Sequence, residues 1–131
     1  MIHIGKIDIE KYRCVTSDIQ TDDVIITDKQ IEHIKERHPN DYERYFEYAK
    51  DIIEDPDYIL EANKPNTAFV LKHIKDNGKN YQLILRLKTS NDPESYMNSV
   101  ITFLKIDSRK WAKYLRNKKI LYGKNLFDKS E

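Results

Sequence analysis

The chain changes its hydrophobic period near Tyr58, and that change limits its fold more than any other feature. Before it, apolar residues recur every three or four positions. Tyr42, Tyr45, Phe46, Ala49, Ile52 and Ile53 fall on one face of a helix spanning roughly Asp41–Glu54, closed by Pro56. After it, Tyr58–Ala62, Thr67–Ile74, Tyr81–Thr89 and Asn98–Ile106 are rich in β-branched and aromatic residues, the pattern of strands. Asn63-Lys64-Pro65-Asn66 and Asp76-Asn77-Gly78 supply turn chemistry between the first three. Loops this short join antiparallel neighbours. A last helix, about Ser108–Asn117, sets Trp111, Tyr114 and Leu115 on one side and Lys110, Lys113 and Arg116 on the other. The expected fold is α+β: N-terminal helices, a four-stranded antiparallel sheet with helices mainly on one face, and a terminal basic helix.

A second helix signal stands upstream, in ITDKQIEHIKERHP (Ile26–Pro39). Thr27 with Gln30 three residues later makes a capping-box pattern. The helix should run Asp28–Arg37, because Pro39 forbids its continuation. Ile2–Ile7 and Arg13–Ile26 read only as short strands or turns.

At 131 residues, with 39% hydrophobic content, the chain is long enough for one domain with a real core. No apolar run approaches the ~20 residues of a membrane helix, and the opening MIHIGKIDIEKYR lacks the apolar segment of a signal peptide. Cys14 is alone, which excludes an internal disulfide and fits a reducing compartment, so a cytoplasmic location is expected. The net charge of +1 hides a polarity: Asp41–Glu61 carries eight acidic residues against Arg44 and Lys50, and Lys105–Lys124 carries eight basic residues against Asp107. A basic element of this kind can hold phosphates through residues such as Lys105, Lys118 and Lys119, or it can be a solvated helix face. Tyr122 beside it leaves base stacking open.

Five residues stand out for chemistry. His33 and Arg37 are four apart on the first helix, so they share a face. His38 falls on the apolar stripe with Ile31 and Ile34. On a regular helix the two histidines lie about 140° apart, a poor grip for one metal ion, and neither HExxH nor a cysteine cluster is present. No metal or other cofactor is expected. Arg86 lies inside LILRL and needs an anionic partner, either a structural carboxylate or a substrate phosphate. Thr102 projects from the same side if the last two strands pair with their apolar faces together. The bland alternatives are a core histidine at a helix end, an exposed polar His33, and a threonine chosen for its β-propensity. Taken together, these groups supply the parts for metal-free RNA cleavage: proton carriers for the 2′-hydroxyl and the leaving 5′-oxygen, and cationic and hydroxyl donors for the phosphate.

With those residues in view, the chain resembles the phage-associated barnase/EndoU/colicin/RelE-like nuclease domains. The similarity runs from about Val24 to Lys124 and rests on ITDKQIEHIKERHP, DPDYILE, NYQLILRLKTSNDPESYMNSVITF and KYLRNKKILYGK. It implies helices followed by a four-stranded antiparallel sheet, and metal-independent endoribonuclease chemistry carried by His33, His38, Arg86 and Thr102. Arg37, Lys105, Lys118, Lys119 and Tyr122 would bind the RNA, and the resemblance leaves room for a cognate immunity or antitoxin protein. The other reading is a non-catalytic nucleic-acid-binding or phage accessory module with the same fold. Met1–Asp23 falls outside the matched motifs, as an extension of the same single domain, 1–131.

Overall fold

The first long helix forms as its cap dictates. In the computed structural model, which describes residues 1–127, the Thr27 hydroxyl accepts the Gln30 N–H at 3.4 Å and α2 runs Asp28–Arg37. Helix α3 follows as Tyr42–Glu54, burying Tyr48, Ala49, Ile52 and Ile53. Ahead of them come strand β1 (Ile2–Lys6), a single-turn α1 (Ile9–Tyr12) and strand β2 (Asp23–Ile26). After them come β3 (Tyr58–Glu61), β4 (Thr67–Ile74), β5 (Lys79–Arg86) and β6 (Asn98–Ile106), then α4 (Ser108–Asn117), β7 (Ile120–Gly123) and a short α5 (Lys124–Phe127).

The architecture is α+β, but the expected four-stranded antiparallel sheet is corrected to a seven-stranded mixed one, in the order β1-β2-β6-β5-β4-β3-β7. The four strands read from the sequence form its middle. At one end β2 lies parallel to β6, pairing Val24–Ile26 with Asn98–Val100, and β1 adds antiparallel to β2. Asn98 secures this junction from a fully buried position. Its Nδ2 donates to the carbonyls of Thr21 (2.8 Å) and Asp23 (2.9 Å), and its Oδ1 accepts the Lys88 N–H at 2.7 Å. At the other end β7 runs antiparallel to β3. The basic helix is therefore not terminal: Lys118 turns extended (φ −105°, ψ 151°) and sends the chain back along the sheet.

Helices cover both faces of the sheet, not mainly one. Strand alternation puts Val70, Leu83, Leu85 and Val100 against α1, α2 and α3, in the main core with Tyr12, Ile34 and Ile52. The opposite face carries Leu60, Phe69, Leu71 and Ile106 under Trp111, Tyr114 and Leu115 of α4. Tyr114 meets Phe69 edge-on with ring centroids 4.8 Å apart, a contact worth about 0.5–1.5 kcal/mol beyond its buried area. Tyr12 is wholly buried, and its hydroxyl donates to the Ile53 carbonyl at 2.8 Å, tying α1 to α3.

Candidate active site

Beyond Val100, β6 outlasts its neighbour. Strand β2 ends at Ile26 and the chain turns into α2, so among the described residues no strand pairs with that side of β6 from Ile101 onward. Between α2 and this open edge lies a cavity of about 570 Å³. One wall is the helix face of Gln30, His33, Ile34 and Arg37. Tyr45 of α3, Tyr81 of β5 and Phe103 of β6 make an aromatic floor, and Lys105 stands at the rim.

His38 reaches the same cavity because it is no longer helical. Pro39 disfavours the α region for the residue before it, and His38 sits at φ −134°, ψ 61° while its N–H still closes the helix on the Ile34 carbonyl at 2.9 Å. That break turns the imidazole onto α3, where it stacks on Tyr45 with centroids 3.6 Å apart and planes 14° from parallel. His33 and His38, which a regular helix would set about 140° apart, thus both line this cavity. Tyr81, almost fully buried, has its phenol pushed up to about 12 by burial, and its hydroxyl accepts Asn77 Nδ2 at 2.8 Å.

Thr102 meets the cavity differently. It pairs with Ile84, which faces the α4 side together with Leu104, so Thr102 and Leu104 reach the cavity at the edge of the strand. Arg86 also faces the α4 side, opposite Ser99, and does not line the cavity. Its guanidinium forms a two-pronged salt bridge with Asp92 at 2.9 and 3.2 Å, touches the Leu87 carbonyl and lies 5.3 Å from the Tyr96 ring centroid. Asp92 also accepts the N–H and hydroxyl of Thr89. The Thr89 N–H, helped by Arg86 and opposed by desolvation, holds the Asp92 carboxyl below the usual carboxylate range.

The remaining sequence candidates lie elsewhere. Lys118 donates to the Glu61 carbonyl at 3.2 Å and sits over the Phe69 ring, Lys119 lines a separate hollow with Glu61 and Thr67, and Tyr122 lies under Lys11. Strand β7 is four places from β6, roughly 19 Å at ~4.8 Å per strand. The structure thus gathers His33, Arg37, His38, Thr102 and Lys105 at one cavity and leaves Arg86, Lys118, Lys119 and Tyr122 outside it. Sequence reasoning passed over Tyr45, Tyr81 and Phe103, whose spacing is that of ordinary core residues, and took Gln30 only for a capping residue.

A second hollow of about 650 Å³ is larger and carries Asp51, Glu54, Asp55 and Asp57. Its Asp55 is already paired: Lys124 and Lys72 bond it at 2.8 and 3.2 Å, and Lys124 foremost holds that carboxyl low. Among the described residues no group of three or more His, Cys, Asp or Glu side chains is arranged to hold a metal ion. No described helix is long and apolar enough to cross a membrane.

The sequence model of the phage-Barnase-EndoU-ColicinE5/D-RelE like nuclease2 family matches residues 2–123. The chain belongs to that family. It is a nuclease of the barnase/EndoU/colicin/RelE type, and the match takes in β1 and β2 as well as the central strands. No curated protein and no solved structure matches it.

Proposed function

We propose that this nuclease is an endoribonuclease that cleaves RNA without a metal ion, by attack of a ribose 2′-oxygen on the adjacent phosphorus. The observation that carries the reading is the convergence of two histidines and an arginine, all from one helix end, on one partly apolar cavity. One imidazole takes the 2′-hydroxyl proton as the oxygen bonds to phosphorus. The other gives a proton to the departing 5′-oxygen, leaving a 2′,3′-cyclic phosphate and a free 5′-hydroxyl. His33, beside Arg37, is assigned as one proton carrier. His38, oriented by its stack on Tyr45, is the second. Arg37 and Lys105 are assigned to the non-bridging oxygens, where charge-assisted hydrogen bonds stabilise developing charge, and Thr102 adds a donor from the strand edge. Arg86, with its guanidinium already committed to Asp92, is assigned to holding the β5–β6 loop.

The test is an RNA oligonucleotide treated with the purified protein, with and without chelator, beside the same oligonucleotide carrying a 2′-deoxy sugar at the scissile position. Cleavage indifferent to chelator and abolished by the 2′-deoxy sugar is expected. Chelator-sensitive cleavage, or cutting of the 2′-deoxy substrate, defeats the mechanism.

A further inference from the structure

His38 rests its ring on Tyr45, so whatever fixes Tyr45 also fixes the imidazole. Two neighbours hold Tyr45. Tyr48, one turn along α3, meets it edge-on with centroids 5.3 Å apart, and Tyr81 of β5 meets it edge-on at 6.4 Å. Tyr48 and Tyr81 are only 5% and 1% exposed, and a buried phenol needs a partner for its hydroxyl. Both partners come from one place, the turn of residues 75–78 between β4 and β5. The Tyr48 hydroxyl donates to Asp76 Oδ2 at 2.8 Å, and Asn77 Nδ2 donates to the Tyr81 hydroxyl at 2.8 Å.

The turn itself is held in shape. Gly78 takes φ +69° and its N–H donates to the Ile74 carbonyl at 2.9 Å, while Asn77 Oδ1 accepts the Lys79 N–H at 3.0 Å. Arg44 of α3 donates to the same Asp76 oxygen at 3.0 Å, so helix and turn are joined twice at one carboxylate. An exposed ion pair such as Arg44–Asp76 contributes little stability by itself. Neither Asp76 nor Asn77 lines the α2–β6 cavity.

We propose that Asp76 and Asn77 are positioning residues for His38. By holding the hydroxyls of Tyr48 and Tyr81 they fix the rings against which Tyr45 packs, and Tyr45 sets the plane of the imidazole. The proposal rests on the ribonuclease reading for the work that His38 does. Placement matters there, because a shift of about 1 Å at a reacting group can cost about 10²-fold in rate.

Proton NMR of the full chain reads the His38 ring directly, its resonances identified by their loss in His38→Ala. Stacked on a phenol, they should lie upfield of those of an exposed histidine. Asp76→Ala should move them back toward that position. It should also lower the single-turnover cleavage rate by about tenfold to 10²-fold with RNA affinity unchanged. Asn77→Ala should act in the same direction on both readouts. Asp76→Asn keeps an oxygen for both Tyr48 and Arg44 and should restore both. Tyr48→Phe removes only the hydroxyl, should reproduce the alanine variant, and replaces it in the test if Asp76→Ala does not fold. Unmoved resonances, an unchanged rate beside moved ones, or an Asp76→Asn variant that behaves like alanine overturns the proposal. The two readings fail separately. Moved resonances in a protein that cuts no RNA sink the ribonuclease mechanism and keep the link from turn to histidine, and unmoved resonances in a protein that cuts RNA do the reverse.

Discussion

His38 owes its position to a proline. With Pro39 behind it, the residue leaves the helix and turns its ring onto Tyr45, so two histidines that a regular helix would separate line one cavity. This part of the site was legible because it is local: the cap, the helix and its stop all lie within Thr27–Pro39. Arg86 was legible only as a need for an anion. Its carboxylate, Asp92, lies six residues on in a loop without periodicity. The two cases predict different phenotypes. His33→Ala and His38→Ala should each lower cleavage by about 10²–10⁴-fold, the usual worth of a general acid or base, with unchanged circular dichroism. Full activity in both would reject their roles. Arg86→Ala should instead lower the urea midpoint more than it lowers the turnover of the folded fraction. Asp92 adds a pH signature. A carboxyl whose folded value is depressed stabilises the fold above its unfolded value, near pH ~3.9, and loses that contribution as pH falls through the folded value. Acid unfolding of wild type should therefore steepen below about pH 4, and Asp92→Ala should flatten that limb in the same titration.

At the scale of elements, the legible strands were those whose alternation runs far enough to be seen. β4, β5 and β6 span eight, eight and nine residues, and β3 is framed by Pro56 and the Asn63–Asn66 turn. β1 and β2 read only as short strands or turns, and β7 did not read at all, because these strands are short or irregular. β2 and β7 have four residues each, and β1 is interrupted by a bulge between His3 and Gly5. A Cβ at Gly5 would stand 2.6 Å from the Glu54 Oε2 that accepts the Lys6 N–H, so β1 approaches α3 closely at a residue that carries no pattern. The placement of β2 is also written at a distance, in Asn98. Removing its amide strands the Lys88 N–H and the Thr21 and Asp23 carbonyls in a buried junction, at about 1 kcal/mol or more apiece. Asn98→Ala is therefore expected to cost about 2–4 kcal/mol in urea unfolding. A cost below about 0.5 kcal/mol would mean that the β2–β6 pairing holds without it.

Across the whole molecule, charge and cavity are arranged so that chain length becomes an experimental variable. Arg37 and Lys105 stand at the cavity, while Lys118 and Lys119 precede β7 at the opposite end of the sheet. The four strand spacings between β6 and β7, roughly 19 Å, span several nucleotides of extended RNA, and Lys118 sits over Phe69 on the α4 face, so a bound strand would also have to pass round the sheet. A dinucleotide seated in the cavity cannot touch both regions. Charge reversal at Lys118 and Lys119 should then leave dinucleotide affinity intact but weaken the binding of a long single strand. Its dependence on salt should also become shallower, by about 0.7 in log–log slope for each phosphate the protein no longer neutralises. Reversal at Lys105 should weaken both. Equal effects of the Lys118/Lys119 variant on short and long RNA would place substrate at β7 itself and move the binding path away from the α2–β6 cavity. No effect on either would make the basic region after α4 an ordinary solvated surface, tied to the fold through the Lys118 bond to the Glu61 carbonyl.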